Sequence, residues 1–352
     1  MKNVVKQVVG IDVAQKELVV CVGRMHDDWK PELYASKAFA NTPKGFDTLL
    51  AWLRKQTSES IDTRFVMEAT GVYHEAFANF LDDQSKDVTI VLPNKMSNYM
   101  RTLDVKTITD KTSAEAIARF GLERNLEKWK KPRPIYFQMK QLTRERDQIV
   151  QERTVAKNQL HAEEAGAYPL KSSLARIKQR IKLFDKQEAA VIEELTELIN
   201  QDGEVREVID RMCSAPGIGL LTAAIILSET HGFELIRNKR QLASYAGFDV
   251  TEKQSGTSVK SKPRISKKGN KYLRKALYMP ALSVVKSNEH FKAFFARLVG
   301  KHGIKMKAAV AVQRKLLELA YTLYKNKTTY DKNYAPKETM EQVTTENQRS
   351  GK

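Results

Sequence analysis

Short apolar runs separated by polar turns fill the first part of the chain. Residues 8–13 and 18–22 predict two strands joined by a polar turn, and residues 37–41 predict a third strand. Thr42 then leads into an amphipathic helix whose apolar face carries Leu49, Leu50 and Leu53. The chain therefore begins with a strand meander followed by a helix.

A second alternation of strand and helix follows. Residues 64–68 predict a strand, which Gly71 separates from a helix over residues 73–81. Residues 88–92 predict another strand, closed by Pro93. Alternating elements of this kind indicate an α/β domain.

Three acids occupy matching places in this pattern. Asp12 and Glu68 each end an apolar strand, and Asp110 lies where residues 105–115 open a helix. A single acid at a strand end is usually a turn or cap residue, but three at matching positions are typical of an RNase H-like fold. Carboxylates suit the hard cations Mg²⁺ and Mn²⁺, and two such ions can activate a nucleophile and stabilise the departing oxygen. The sequence thus predicts an RNase H-like metal site in a domain over residues 1–130.

A long helical segment follows the Pro-containing linker 130–134. Residues 137–202 hold few turn signals apart from Gly166 and Pro169, and their apolar positions follow a 3-4 spacing. Glu188 occupies one position of this seam, whose other members are Leu174, Ile177, Ile181, Phe184, Val191, Leu195 and Leu198. The spacing predicts a dimerising coiled coil or a hairpin, and the alternative is a helix packed on its own domain.

Helical patterns and Gly-rich turns predict a mainly helical domain over residues 205–325. Residues 214–219 include Gly217 and Gly219 and precede an apolar run, as in a helix-hairpin-helix, whose turn offers N–H groups to a phosphate. A plain helix turn explains the same residues. The tail 326–352 lacks periodicity, which predicts disorder.

Charge divides the chain into two parts. The net charge is +18, yet residues 1–130 contain 19 Lys and Arg against 18 Asp and Glu, and the remainder carries 41 against 24. Such a basic second part can neutralise phosphates and release counterions, which predicts a nucleic-acid partner. The sequence has no apolar run of about 20 residues and no signal peptide at its start, so we expect a cytoplasmic protein without a membrane partner. Cys21 and Cys213 lack CxxC spacing and receive no chemical role.

The most basic stretch of the chain is residues 253–275, which hold nine Lys or Arg, no acid, five Ser or Thr and two Gly. Backbone N–H groups and hydroxyls of such a loop can face phosphates while flanking cations hold the strand. The cations expected to contact nucleic acid are Lys253, Lys260, Lys262, Arg264, Lys267, Lys268 and Lys271. A loop that binds nucleic acid without reacting is the simpler interpretation.

Seven short motifs stand in a defined order along the chain. They are Gly10-Ile-Asp12, Glu68-Ala-Thr-Gly71, Thr109-Asp110, Pro216-Gly-Ile-Gly219, Ala243-Ser-Tyr-Ala-Gly247, Ser255-Gly-Thr-Ser258 and Leu273-Arg-Lys-Ala-Leu-Tyr-Met-Pro280. Each is weak by itself. Their order and spacing over residues 5–325 resemble the DEDD-type insertion-sequence transposases related to the Piv invertase.

This resemblance implies a RuvC-like domain with four acids, a helical segment, and a transposase domain that carries a nucleophilic serine. Asp12, Glu68 and Asp110 match the first three acids, and Ser255 matches the serine. The implied activity is the cutting and rejoining of DNA for movement of an insertion sequence, with Ser255 attacking a backbone phosphate. Some members of the family also use a structured guide RNA.

The fourth acid does not match the family pattern. Three residues after Asp110, where the family usually has Asp, this chain has Ser113. Glu115 points about 140° away from Asp110 on a helix, and Thr112-x-x-Glu115 fits a capping box. The candidates for a fourth ligand are therefore Glu115, Asp104, and Ser113 or water beside three carboxylates.

Several functional alternatives remain open. With the leading hypothesis, the partners are element-end and target DNA, and the helical seam suggests a homo-oligomer, a dimer or tetramer. One alternative is a metal-only RuvC-like nuclease in which Ser255 merely binds phosphate, and another is a non-enzymatic nucleic-acid-binding protein. An actin-like kinase also begins with residues such as Val9-Gly-Ile-Asp12, but the sequence lacks its Gly-rich adenosine loop.

Overall fold

The computed structural model describes residues 3–69, 71–103, 107–234, 236–252, 254–255, 259–260 and 264–333. Only the backbone is described for Asn94, Gln254, Ser255, Val259 and Lys260. The chain forms two compact units, divided between Lys131 and Pro132. This division falls inside the predicted linker.

Within the described residues of the first unit, five strands alternate with four helices. They are β1 (Val4–Val13), β2 (Glu17–His26), β3 (Pro31–Ala40), α1 (Pro43–Leu53), β4 (Thr63–Glu68), α2 (Glu75–Asp83), β5 (Asp87–Val91), α3 (Pro93–Met100) and α4 (Asp110–Glu123). The sheet has the order β3-β2-β1-β4-β5. β1 is antiparallel to β2 and parallel to β4, and β4 is parallel to β5. The α/β class and the predicted strands are confirmed.

β1 divides its side chains between two helical layers, because successive residues of a strand point to opposite faces. Val9 and Ile11 belong to the apolar cluster that includes residues of α1 and α2. Val8 belongs instead to the cluster with Ile117 of α4. Residues 10 and 12 therefore share the α4 face with Val8.

Two sequence predictions in this unit need correction. Pro93 does not simply close β5, because it occupies the first turn of α3, where a missing N–H costs no hydrogen bond. The helix expected to open over residues 105–115 begins at Asp110, with Thr109 as its N-cap. Asp104 lies outside the described residues.

The second unit is mainly helical in its described part. Its elements are α5 (Pro134–Glu164), α6 (Lys171–Gln201), α7 (Gly203–Cys213), α8 (Leu220–Glu229), α9 (Lys239–Tyr245), β6 (Val250–Thr251), β7 (Gln254–Ser255), β8 (Val259–Lys260), β9 (Arg264–Ile265), α10 (Lys271–Ala276), α11 (Tyr278–Ser287), α12 (Glu289–His302) and α13 (Lys305–Asn326). No helix within the described ranges combines the length and apolar character that a membrane span requires.

α5 and α6 form a helical hairpin within the chain. Apolar members of the predicted seam, including Val191 and Leu195, share a core cluster with Ile149 of α5. Glu188, the polar member of the seam, forms ion pairs with Arg146 and Arg153 of α5. The seam of α6 is thus used against α5 of the same chain.

The structure describes the chain to residue 333, beyond the predicted domain end at residue 325. α13 ends at Asn326, and the backbone N–H of Tyr330 donates to the Ser214 Oγ at 2.8 Å. The Tyr330 side chain packs against the main core of this unit. The structure therefore describes residues 326–333 of the predicted tail, and residues 334–352 lie outside the described residues.

Candidate functional site

A close helix–strand contact determines where the acids of the first unit lie. A Cβ placed on Gly10 would meet the backbone of Ala114 and Ala118 at 2.2–2.6 Å. A Cβ on Gly121 would meet the Val8 side chain at 2.6 Å. Only glycine lets α4 approach the strand this closely, and the order of these contacts shows that α4 runs antiparallel to β1.

The antiparallel contact brings the three predicted acids to one end of the sheet. Asp12 lies two residues beyond Gly10 on the same face of β1, and Asp110 lies one turn before Ala114. β4 is parallel to β1. Its last residue, Glu68, comes one position after the last residue of β4 that pairs with β1. The structure thus places all three carboxylates where the sequence pattern predicted them.

Electrostatics confirm that these acids are neighbours. Burial, followed by the charge of Asp110, raises the pKa of Asp12. Burial, followed by the charge of Asp12, raises the pKa of Glu68. Besides burial, a neighbouring carboxylate thus raises the pKa of Asp12 and of Glu68, a repulsion that a bound cation would relieve.

The donor chemistry of this cluster fits a hard divalent cation, because each of its three acids offers carboxylate oxygens. Across the residues that the structure describes, however, no group of three or more His, Cys, Asp or Glu side chains is close enough to hold a metal ion. The three carboxylates are therefore neighbours that are not preassembled into a ligand shell.

Asn41 connects the loops that follow two of the acids. Its Nδ2 donates to the Ala14 carbonyl at 2.9 Å and to the Tyr73 carbonyl at 3.1 Å. Ala14 follows β1 and Tyr73 follows β4, so one side chain fixes both loops at the acidic end of the sheet. No local sequence pattern identifies Asn41, because its contacts are 27 and 32 residues away along the chain.

The predicted capping box at the start of α4 is wrong by three residues. Thr109 and Thr112 cap each other: the Thr112 N–H donates to the Thr109 Oγ1 at 3.2 Å, and the Thr109 N–H donates to the Thr112 Oγ1 at 2.8 Å. Glu115 therefore has no role in this cap. A threonine hydroxyl can accept from a backbone amide as a Glu carboxylate does. The Thr109–Thr112 pair therefore caps the helix three residues earlier than a Thr112–Glu115 pair would.

Glu115 lies on a different side of α4 from the acid cluster. Burial, followed by the charge of Glu115, raises the pKa of Cys21 on β2 to about 12. Cys21 pairs with Gly10, whereas Asp12 pairs with Val19. Ser113, one turn after Asp110, is the residue whose spacing suits a fourth ligand.

If the chain cleaves DNA as the resemblance implies, we expect Glu115→Gln to leave the metal dependence of cleavage close to that of the wild type, because Glu115 lies about 140° around α4 from Asp110. The measurement is the cleavage rate over a Mg²⁺ titration, with thermal melting as a check on folding. A loss of activity at unchanged melting temperature would make Glu115 a ligand. Ser113→Asp is the matched variant, and the added carboxylate should increase the rise in melting temperature that Mg²⁺ produces.

The basic segment forms a hairpin in its described parts. At its base, β6 pairs antiparallel with β9, and farther out β7 pairs antiparallel with β8. Ser255 is the last residue of β7, and its backbone pairs with Val259. The predicted nucleophile is therefore the last residue of β7, just before residues 256–258, which lie outside the described residues.

The structure describes the side chains of only some of the cations that were predicted to bind nucleic acid. Arg264, Lys267 and Lys268 near the base of the hairpin are exposed. Lys271 is also exposed, with its Nζ 5.1 Å from the centre of the Tyr272 ring. Lys253 and Lys262 lie outside the described residues, and for Lys260 the backbone alone is described.

The two glycines predicted to offer N–H groups to phosphate have different surroundings. Gly217 has φ +83°, and a Cβ there would lie 3.0 Å from the Pro280 carbonyl oxygen. This glycine is explained by the turn and its contact with α11. Gly219 is the N-cap of α8, and a Cβ on it would meet no other atom within 4 Å.

Known proteins match this chain over most of its length. A DEDD transposase model of the IS110 type matches residues 9–168, and a model of the IS116/IS110/IS902 transposase family matches residues 209–296. Among solved structures, Thermus thermophilus RuvC, alone and with a Holliday junction substrate, is matched over 35% of this chain and 99% of that chain, with 14% and 10% identity and a TM-score of 0.27.

Curated relatives show the same relationship. The pilin gene-inverting proteins of Moraxella bovis and Moraxella lacunata are each 28% identical over 333 residues, which are 93% of this chain and 98% of the relative. A 43.6 kDa protein of insertion element IS110 from Streptomyces coelicolor is 25% identical over 120 residues, 34% of this chain and 29% of that protein. The resemblance inferred from the seven motifs is confirmed, and the chain belongs to the IS110 family of DEDD transposases.

Proposed function

We propose that this chain cuts and rejoins DNA during movement of an insertion sequence, with Ser255 as the nucleophile and the acid cluster as the metal site. The convergence of Asp12, Glu68 and Asp110 at one end of the sheet carries this proposal. Neighbouring carboxylates on separate elements have little value for stability, since like charges raise the free energy of the folded state. A bound divalent cation would offset this repulsion, which explains why the acids lie together.

Asp12, Glu68 and Asp110 would hold Mg²⁺ or Mn²⁺. When bound there, the metal would supply charge stabilisation and an activated oxygen nucleophile. The role of the protein is to keep three carboxylates adjacent. Ser113 or water would complete the donor set at the place of the fourth acid.

Ser255 would form the covalent intermediate. Its Oγ would bond to phosphorus as the bond from phosphorus to the departing DNA oxygen breaks, and the proton lost by the hydroxyl balances the proton gained by that oxygen. A serine hydroxyl needs a base or a metal to become a good nucleophile. The sequence holds no His within ten residues of Ser255 that could serve as this base, and we assign the activation to the metal.

A homo-oligomer, a dimer or tetramer, belongs to this proposal. The α5–α6 hairpin exposes apolar side chains to solvent, with Val155 68% and Leu183 53% exposed. A second copy that packs along the hairpin as a coiled coil would cover them.

A structured guide RNA is part of the proposal only because the family resemblance implies it for some members. The open N-terminus of α8 at Gly219 offers N–H groups to a phosphate of either DNA or RNA.

Covalent trapping tests the proposed function. The protein is incubated with Mg²⁺ and labelled DNA that contains the flanks of its own coding gene, and the products are separated under denaturing conditions. A protein–DNA adduct that resists denaturation is expected. Cleavage without any adduct would favour the metal-only nuclease, and binding without cleavage would favour the non-enzymatic binding protein.

The basic hairpin should supply sequence-independent affinity for DNA. Changing Arg264, Lys267 and Lys268 together to Gln should flatten the plot of log K against log salt by about 2.7, because each phosphate contact on duplex DNA contributes about 0.9. Lys157, Lys182 and Lys186 on the α5–α6 hairpin are a matched control, since their replacement by Gln removes the same charge from exposed positions. An equal slope for the hairpin variant and the wild type would show that these cations do not contact DNA.

A further inference from the structure

A buried carboxylate in the second unit contacts the base of the basic hairpin. Glu229 ends α8, and its side chain is 1% exposed. Arg144 of α5 donates to both of its carboxylate oxygens, from Nε at 2.7 Å and from Nη2 at 3.0 Å. The Asn270 Nδ2 donates to the Glu229 Oε2 at 2.6 Å. An acid at the last position of a helix faces the negative end of the helix dipole, so helix stability does not explain this residue.

Asn270 connects this carboxylate to two neighbouring elements. Its Oδ1 accepts hydrogen bonds from the N–H groups of Tyr272 and Leu273, which caps α10. Its own N–H donates to the Tyr245 carbonyl at 2.8 Å, and the Tyr245 hydroxyl donates back to the Glu229 carbonyl at 2.8 Å. Both polar atoms of the Asn270 side chain therefore have hydrogen-bond partners, Oδ1 in α10 and Nδ2 on Glu229.

The two chain ends of the hairpin meet beside Asn270. The Lys267 N–H donates to the Gly247 carbonyl at 3.2 Å, and the Ser266 N–H donates to the Asp249 carbonyl at 2.7 Å. A Cβ on Gly269 would lie 2.4 Å from the Tyr245 carbonyl oxygen, so the returning strand is held against α9. Farther along the same segment β7 pairs with β8, and Ser255 is the last residue of β7.

We propose that Glu229 and Asn270 are positioning residues that fix the base of the basic hairpin and so determine where Ser255 is presented. This inference rests on the proposed role of Ser255. A hairpin of short two-residue strand pairs has little stability of its own, so its direction depends on how its base is held. A charge-assisted hydrogen bond to a buried carboxylate is well suited to this, because it is strong and geometrically specific.

Asn270 both donates to Glu229 and caps α10, and a pair of variants can separate these two roles. Asn270→Asp keeps an oxygen for the Tyr272 and Leu273 amides, since Asp caps helices as well as Asn does. It also turns a hydrogen bond to Glu229 into repulsion between two carboxylates. In the double variant Glu229→Gln with Asn270→Asp, the Gln amide can donate to the new carboxylate, which restores the contact with its direction reversed.

The test measures amide hydrogen exchange and adduct formation in the full-length chain. Asn270→Asp should speed exchange of the Ser266 and Lys267 amides by about 10- to 100-fold, the effect of losing a hydrogen bond to a charged group. At saturating DNA it should slow formation of the covalent adduct by on the order of 10²-fold, because misplacement by about 1 Å has such an effect. The double variant should recover most of both losses.

Glu188→Gln is the control, since Glu188 is an acid paired with two arginines of α5 and lies outside the hairpin contact. It should leave exchange of the Ser266 and Lys267 amides unchanged. Unchanged exchange in Asn270→Asp, a normal adduct rate despite faster exchange, or failure of the double variant to recover would each overturn the positioning role. A wild-type protein that forms no adduct would instead refute the serine chemistry, and the exchange results would then decide by themselves whether Glu229 holds the hairpin base.

Discussion

Asp12→Asn is expected to slow Mg²⁺-dependent strand cleavage by about 10³-fold or more, because a metal ion contributes several kcal/mol of transition-state stabilisation. Asp12 is the central acid of the cluster: burial and then the charge of Asp110 raise its pKa, and burial and then the charge of Asp12 raise the pKa of Glu68. Glu68→Gln and Asp110→Asn should have effects of similar size. DNA affinity measured by titration should change little, because these carboxylates would hold metal rather than phosphate.

Asp47→Asn is the matched control for this series. Asp47 is an exposed acid on α1 of the same unit, and its replacement removes the same charge without touching the cluster. Cleavage by this variant should equal that of the wild type. Full cleavage by Asp12→Asn, or cleavage by the wild type in the presence of a chelator, would contradict the metal mechanism.

The acid cluster was predictable because it depends on local periodicity. Alternating side chains fix which face of β1 carries Asp12, and strand ends can be recognised from short apolar runs. The start of α4 was less predictable, since Thr109 and Thr112 can both serve as an N-cap and only the three-dimensional contact selects one. The close approach at Gly10, which aligns Asp110 with Asp12, involves residues about a hundred positions apart.

The second unit shows what periodicity leaves undetermined. The 3-4 spacing of residues 174–198 identifies a buried helix face, but a partner in the same chain and a partner in another copy give the same spacing. Glu188 interrupts the seam because Arg146 and Arg153 reach it from α5. Glu229 follows an apolar run, and its partners Arg144 and Asn270 are 85 and 41 residues away, so only the fold reveals them.

Ser255→Ala is expected to abolish the covalent protein–DNA adduct while leaving DNA affinity and its salt dependence unchanged. The substitution removes one hydroxyl and no charge, so the phosphate contacts of the surrounding cations are retained. No adduct can form without the attacking oxygen, and its yield should fall below detection. The measurement is denaturing electrophoresis of labelled DNA, beside a binding titration at several salt concentrations.

Ser258→Ala is the control, because it makes the same chemical change three residues farther along the same basic segment. It should form the adduct at close to the wild-type rate. An adduct that survives in Ser255→Ala and disappears in Ser258→Ala would move the nucleophile to Ser258. Rejoined DNA from Ser255→Ala without any adduct would show that the acid cluster performs the whole reaction, since a serine that only binds phosphate affects affinity and leaves the chemical step to the metal site.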